Sequence, residues 1–325
     1  MPFVEAMRQF QFRVGKSNFA LIHVSLVPSV SSGGEQKTKP TQSSVRDLRS
    51  VGLSPDLILC RSEFPTTESV RQKISQFCHV NEDHVLGVHN LSNIYQVPIA
   101  LLEQELPQKL LRILDLPYPE DVHTRMESWR SLANQMDQLL ESPEEEAIIL
   151  AMVGKYTGLS DSYHSITKSI THSSIAIKRQ VKTIWIDSEL LEDDADPQQM
   201  QQAWATLRSA HCILVPGGFG ARGVEGMIRC CQYARENSIP FLGICLGFQI
   251  AVVEFARHVL GWSDAHSEEM NPDTPHKVVI FMPEGSKEIM GGTMRLGTSI
   301  PYIHPLNPLT TSIYNRFAPC YFLTQ

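Results

Sequence analysis

Cys245 stands in the segment Phe241-Leu-Gly-Ile-Cys-Leu-Gly-Phe-Gln-Ile250, where an apolar, strand-like run passes through Gly243-x-Cys245-x-Gly247 straight into a helical pattern. A nucleophile on such a strand-to-helix turn is held in a strained backbone conformation with its side chain exposed, and only small neighbours fit around it. The helix N-terminus that follows directs free N–H groups and the positive end of its dipole at the sulfur, which favours the thiolate. Taken alone, Gly-x-Cys-x-Gly reads more readily as an inert buried cysteine between packing glycines. A second turn changes that balance. Val215-Pro-Gly-Gly-Phe-Gly220 ends another apolar run about one βα unit earlier. If the two strands are parallel neighbours, the backbone amides of this turn and the amide of Leu246 can surround the oxygen of a tetrahedral intermediate. Otherwise Gly217 and Gly218 make a tight turn and nothing more.

A different chemistry is suggested by Lys37, Thr38, Lys39, Pro40, Thr41 and Gln42, which leave a Ser/Gly loop and enter a helix. Two cations, two hydroxyls and a helix N-terminus suit the phosphates of a nucleotide. By residue chemistry alone they also read as a solvated loop with two surface lysines.

The two glycine turns, in this order, resemble those of class I glutamine amidotransferases, and the wider pattern resembles the CTP synthase family. The segments that carry the likeness are Pro2–Ala6 (PFVEA), Lys37–Gln42 (KTKPTQ), Ile149–Gly158 (ILAMVGKYTG), Leu214–Ile228 (LVPGGFGARGVEGMI), Pro240–Gln249 (PFLGICLGFQ) and Gly291–Gly297 (GGTMRLG). The resemblance therefore runs from residue 2 to about Gly297. It implies that Cys245 attacks the side-chain amide of glutamine, releasing ammonia and leaving a glutamyl thioester. It also implies that Gly218, Leu246, Gly247, Phe248 and Gln249 hold the glutamine, with Glu269 receiving its α-amino group. The resemblance puts UTP and the product CTP on Lys37, Thr38, Lys39, Pro40, Thr41, Gln42 and Lys73, and the adenine of ATP against His89, Asn90 and Leu91. It implies a cytoplasmic ligase that makes CTP from UTP, ATP and glutamine, with Mg2+ as cofactor and GTP as allosteric activator. The family assembly is a homotetramer that can extend into filaments.

There are departures from the family pattern. Phe248 stands where the family has Met, and His266-Ser-Glu-Glu-Met270 replaces Asn-Ser-Thr-Glu-Phe, keeping the carboxylate of Glu269 in an altered frame. No G-x-x-x-x-G-K-[ST] phosphate loop occurs in the 325 residues. The family's magnesium ligands and its pyrimidine-recognising Asp-x-Glu are expected upstream of Met1. Its base and orienting acid are expected in a His-Pro-Glu segment beyond Gly297; His304-Pro305-Leu306 lacks the Glu, so His304 is not expected to be the base. The expectation is a chain truncated at both ends. The alternative reading is a catalytically inactive subunit that binds nucleotide or a full-length partner.

The elements that must position these residues follow a β-α-β-α rhythm, which predicts the α/β class with two parallel sheets, each incomplete: part of a phosphate-loop-like synthetase domain and part of a flavodoxin-like glutaminase domain. Strands are expected at Asn18–Pro28, Pro55–Arg61 and His84–Asn90, then at Ala147–Lys155, Lys182–Asp187, Cys212–Gly218 and Phe241–Cys245. Helices are expected at Glu5–Val14, Gln42–Val51, Thr67–Cys78, Asp161–Lys178, Pro197–Ser209, Gly223–Asn237 and Phe248–Leu260. Between the halves, Val122, Met126, Trp129, Leu132, Met136 and Leu139 recur at steps of three and four, which predicts a connecting helix with one apolar face. The expected domains are residues 1–118, a linker helix 119–145, a glutaminase part 146–297 and a divergent tail 298–325.

Composition agrees with this picture. With 42% apolar residues each half can bury a core, and a net charge of -7 argues against non-specific nucleic-acid binding. No run approaches the roughly 20 apolar residues of a membrane span, and no signal peptide opens the chain. The seven cysteines show no C-x-x-C spacing, which predicts reduced thiols rather than disulfides or a metal site.

Overall fold

The computed structural model describes residues 2–30, 34–119, 121, 125–281, 298–299 and 322–323. The chain divides into two compact units, Met1–Ile148 with Thr167–Val181, and Ile149–Ile166 with Lys182–Gln325.

The first unit opens with α1 (Pro2–Val14) and is built on the parallel strands β1 (Ile22–Leu26), β4 (Leu57–Arg61) and β5 (Val85–Val88), in the order β1-β4-β5. A short antiparallel pair, β2 (Ser29–Val30) and β3 (Glu35–Gln36), leads from β1 into α2 (Lys39–Ser50). Helix α3 (Glu68–Cys78) starts where the Thr67 side chain accepts a hydrogen bond from the Val70 N–H. Its helically spaced Val70, Ile74 and Cys78 meet Val45 of α2 and Ile58, Cys60 and Val85 of the sheet. Each fully buried aliphatic side chain of this kind contributes roughly 1.5–3 kcal/mol.

Strand β1 reverses the usual patterning. Its polar residues face α2, where His23 Nε2 lies 2.9 Å from Ser44 Oγ and Ser25 Oγ lies 3.1 Å from Thr41 Oγ1. Its apolar Val24 and Leu26 are 65% and 59% exposed on the other face. The strand expected at Asn18–Pro28 is present as the shorter β1, and its polar face is the inward one because α2 presents hydroxyls to it. Helix α1 likewise buries none of its residues, and Phe3, Phe10 and Phe12 are exposed.

After α4 (Val97–Glu103) and α5 (Leu106–Ile113), the connecting helix is α6 (Glu127–Leu140). Its apolar stripe of Trp129, Leu132, Ala133, Met136 and Leu139 packs within the first unit, against Tyr95 and Ile99 and against Ile175 of α7 (His164–Ile177). Trp129 Nε1 donates to the Tyr95 carbonyl at 2.7 Å, which fixes the rotation of α6.

The second unit holds a four-stranded sheet, β6 (Ile148–Gly154), β7 (Val181–Asp187), β8 (Cys212–Val215) and β9 (Phe241–Gly243), in the order β7-β6-β8-β9. β8 runs parallel to both β6 and β9. Helices α8 (Pro197–Arg208), α9 (Val224–Glu236) and α10 (Leu246–His258) supply the apolar side chains that cover it, among them Leu207, Met227, Ile228, Ile250 and Val253. The short parallel pair β10 (His266–Ser267) and β11 (Lys277–Val279) follows α10. Most elements lie within a few residues of their expected spans. The difference that matters is α10, which begins at Leu246 rather than Phe248, so that Cys245 caps it directly. Among the described tail residues, Thr298–Ser299 pairs with Phe322–Leu323.

Glu254 of α10 is 1% exposed and receives Arg235 of α9 through Nε (3.0 and 3.1 Å) and Nη2 (2.8 Å), with His258 Nδ1 at 3.3 Å. Arg235→Met should strand a buried carboxylate. A broken buried pair costs about 3–5 kcal/mol; Arg235 is partly exposed and His258 remains, so about 2 kcal/mol is expected, read as a fall of roughly 5 °C in the thermal midpoint. An unchanged midpoint would show that the pair contributes nothing.

Candidate active site

The register of the second sheet puts Val215 opposite Gly243, so the two glycine turns leave adjacent strand ends side by side. The first residue past β9 is tied to its neighbour: the Ile244 N–H donates to the Val215 carbonyl at 2.9 Å. Cys245 then takes φ +54° and ψ −107°, a left-handed conformation that a residue with a Cβ occupies at a cost of order 1–3 kcal/mol. The thiol is exposed.

The flanking glycines are dictated by space. A Cβ on Gly243 would lie 2.4 Å from the Gly247 carbonyl oxygen, and one on Gly247 would lie 2.0 Å from the Val215 carbonyl oxygen. Both obstacles are backbone, which cannot swing aside. A Cβ on Gly217 would lie 3.8 Å from Cys245 Sγ, and one on Gly218 would lie 3.6 Å from Leu246 Cδ2.

The first turn of α10 has its donors partly assigned. Phe248 and Gln249 N–H donate to the Cys245 carbonyl at 3.1 Å, and Gly247 N–H donates to Ile244 at 3.0 Å. Among the described residues no partner is seen for the N–H of Leu246 or of Gly218. The oxyanion hole is expected from the backbone amides of the Pro-Gly-Gly turn, to which Gly218 belongs, together with the amide of Leu246. Two unpaired backbone donors beside an exposed thiol suit the developing charge of an acyl transfer.

Several residues around the Pro-Gly-Gly turn were not singled out from sequence. Lys155, one residue past β6, is 3% exposed, and its ammonium donates to the carbonyls of Phe219 (3.2 Å) and Gly220. Burial lowers its pKa, as does Arg222, while Glu269 and Glu192 act in the opposite sense. Tyr163 Oη accepts from the Lys155 N–H at 3.2 Å, and Arg222 donates to the Lys155 carbonyl. Tyr156 Oη accepts from the Phe219 N–H at 3.4 Å. The motif ILAMVGKYTG marked this segment, but nothing local to it reveals the partners 60 or so residues away.

Glu269, expected to receive an α-amino group, is exposed and its charge is felt at Lys155. Its neighbour Glu268 is already engaged, with Lys277 at 3.5 Å and the Phe281 N–H at 3.2 Å. The unexpected His266 is half-buried, with Nε2 3.6 Å from Glu225. Burial and Arg257 lower its pKa against the opposing pull of Glu225. Phe248 points into solvent, 64% exposed. Gly291–Gly297, His304 and Cys320 lie outside the described residues.

In the first unit, Thr38 and Lys73 line a cleft of about 950 Å³ together with Glu35, Glu63, Phe64 and Ser69. Lys37 is ion-paired to Glu35 at 2.7 Å beside it, and this bond, with the charges of Lys37 and Lys73, holds the Glu35 carboxyl below its usual range. The rest of the motif divides. Lys39 and Gln42 open onto a separate depression with Arg46 and Arg49. Pro40 lies in the first turn of α2, and Thr41, 0% exposed, donates to the Leu26 carbonyl at 3.2 Å. The side chain of Thr41 is therefore structural here. Asn90 accepts from Arg61 Nη2 at 2.5 Å, while His89 and Leu91 are half-buried in the loop after β5. No group of three or more His, Cys, Asp or Glu able to hold a metal occurs among the described residues, and no described helix is long and apolar enough to cross a membrane.

Comparison with known proteins bears on both units. The family model for the CTP synthase N-terminus matches residues 1–116, and that for class-I glutamine amidotransferase matches residues 159–318, past the Gly297 where the resembling motifs end. CTP synthase of Dictyostelium discoideum is 51% identical over 326 residues, covering 97% of this chain and 57% of the relative. Human CTP synthase 1 is 50% identical over 317 residues, covering 97% of this chain and 53% of the relative. Over nearly its whole length the chain is similar to CTP synthases.

It spans little more than half the length of these CTP synthase relatives. Among solved structures, the Trypanosoma brucei CTPS glutaminase domain with bound acivicin is 40% identical at a TM-score of 0.47, covering 52% of this chain and 63% of that one. The α/β class and the parallel sheets expected from sequence are present in both units.

Proposed function

We propose that this chain takes glutamine at Cys245 and supplies its amide nitrogen for the conversion of UTP to CTP, with the pyrimidine nucleotide held in the cleft of the first unit. The observation that carries this reading is the pairing of the two glycine turns at adjacent strand ends, with the exposed thiol of Cys245 beside the unpartnered N–H groups of Gly218 and Leu246.

The chemistry follows from these groups. The sulfur attacks the amide carbon of glutamine, and the C=O π electrons move to oxygen, where the N–H groups of Gly218 and Leu246 stabilise the charge. Collapse expels the nitrogen as ammonia once it is protonated, leaving a γ-glutamyl thioester; water then releases glutamate and the thiolate. Glu269 suits the ammonium of the substrate. No base for Cys245 is identified among the described residues.

A glutamine-mimicking electrophile such as 6-diazo-5-oxonorleucine tests the reading. It should label Cys245 far faster than it labels free cysteine, with glutamine protecting. Labelling no faster than free cysteine would sink it.

The nucleotide half has its own test. Lys73→Ala should weaken CTP binding by about tenfold, since one charge-assisted contact to phosphate is worth about 1.4 kcal/mol when partly solvated. Equal affinity in isothermal titration would remove Lys73 from the site.

ATP, Mg2+, the activator GTP, a cytoplasmic location and a homotetramer belong to the same proposal through the family. For ATP the chain offers His89, Asn90 and Leu91. The donor set does not fit a bound magnesium: the described residues contain no carboxylate cluster, and the 325 residues no phosphate loop. The exposed Val24, Leu26, Phe3 and Phe12 of the first unit support association with further copies.

A further inference from the structure

The turn that carries Gly218 has no regular secondary structure to hold it. Residues 216–219 lie between the end of β8 and the turn that starts α9, and Gly217 and Gly218 give that stretch little intrinsic stiffness. An oxyanion hole acts only when its donors are fixed before the charge develops. Something outside the turn must therefore immobilise it.

Lys155 meets that need. It is itself held at its main chain on both sides, by Tyr163 Oη at its N–H and by Arg222 at its carbonyl. Its ammonium reaches the carbonyls of Phe219 and Gly220, the two residues that follow Gly218, and its Cδ lies 3.2 Å from where a Gly218 Cβ would be. An ammonium buried to 3% exposure is expensive unless its donors are used. Here they are spent on the backbone of this one turn.

We propose that Lys155 is a positioning residue for the glutaminase reaction, clamping the 217–220 turn so that the Gly218 N–H stays aligned with that of Leu246. The inference rests on the reading of Cys245 as a glutamine nucleophile. It goes further by assigning the rigidity of the hole to a side chain on a different strand end.

Lys155→Met keeps the aliphatic stem and removes the donors. Two measurements on the 325-residue chain separate a clamp from a general structural role. With 15N-glycine labelling, the order parameters of Gly217, Gly218 and Gly220 should fall from about 0.85 to below about 0.6 in the variant. A glutamine-derived γ-aldehyde, whose thiohemiacetal oxygen occupies the oxyanion position, should bind about tenfold more weakly. The rate at which iodoacetamide, which builds no oxyanion, alkylates Cys245 should stay within about twofold. Arg222→Met, at a partly exposed position, should shift the same readouts in the same direction by less, and serves if Lys155→Met fails to fold.

Unchanged order parameters would overturn the clamp. A mobile turn with unchanged aldehyde affinity, or an equal loss of aldehyde binding and iodoacetamide reactivity, would overturn the positioning role. A wild-type chain that binds no aldehyde would overturn the glutaminase reading itself, and the order parameters would still decide whether Lys155 holds the turn.

Discussion

Cys245→Ser should abolish capture of a glutamine-mimicking electrophile, a loss of on the order of 10³-fold or more, because removing the nucleophile of an acyl-transfer site removes nearly all of its rate. The serine hydroxyl fits the same space but stays protonated, and among the described residues no neighbouring base is identified to activate it. The other described cysteines provide the control. Burial raises the thiols of Cys60 and Cys231 to about 12, and those of Cys78, Cys212 and Cys230 upward as well. At a given pH they ionise less than a free cysteine and are correspondingly less reactive. Cys212→Ser and Cys231→Ser should therefore leave labelling within about twofold of wild type. Peptide mapping by mass spectrometry reads all three variants. Substantial label on a residue other than Cys245 would refute its assignment as nucleophile.

Gly247→Ala should lower stability by about 4 kcal/mol or more, near the upper end of what overpacking costs. The added methyl would fall 2.0 Å from the Val215 carbonyl oxygen and 2.8 Å from its carbonyl carbon. Relief requires α10 to move away from β8, and α10 carries Leu246, Ile250 and Val253 into the core of the second unit. A fall of roughly 10 °C or more in the thermal midpoint is expected. Gly217→Ala makes the contrast. There the methyl meets the Cys245 Cβ at 3.4 Å, an ordinary contact, so stability should change little while the thiol becomes crowded. If Gly247→Ala melts like wild type, the close approach of helix and strand is not required by the fold.

The elbow was legible because its signal is local. A strand that turns into a helix around a strained residue needs glycine on both sides: the backbone of Gly247 leaves no room for a Cβ on Gly243, and that of Val215 none for one on Gly247. The pairing of the two turns was also legible, since parallel strands one βα unit apart are commonly neighbours. Apolar spacing located the connecting helix α6, and its stripe is the face that packs. The KTKPTQ motif was legible as a phosphate-type sequence but not in its division of labour. That Thr41 turns inward to Leu26 while Thr38 lines the cleft follows from where α2 meets β1. Strand β1 was legible as a strand but not in its orientation. Its alternation says which residues share a face, but only the hydroxyls that α2 presents decide which face is inward.

The strand-to-helix elbow at Cys245 and the glycines around it were legible in the sequence itself, since each depends on residues within a few positions of Cys245; that Cys245 directly precedes the helix, which begins at Leu246, came from the structure. Tertiary structure alone decided what holds the Pro-Gly-Gly turn. Lys155 reaches the Phe219 carbonyl across a separation of 64 residues. A backbone carbonyl is an acceptor that every residue carries, so no choice of side chain at Phe219 or Gly220 advertises the bond. Only the folding of β6 beside β8 brings that ammonium to that turn.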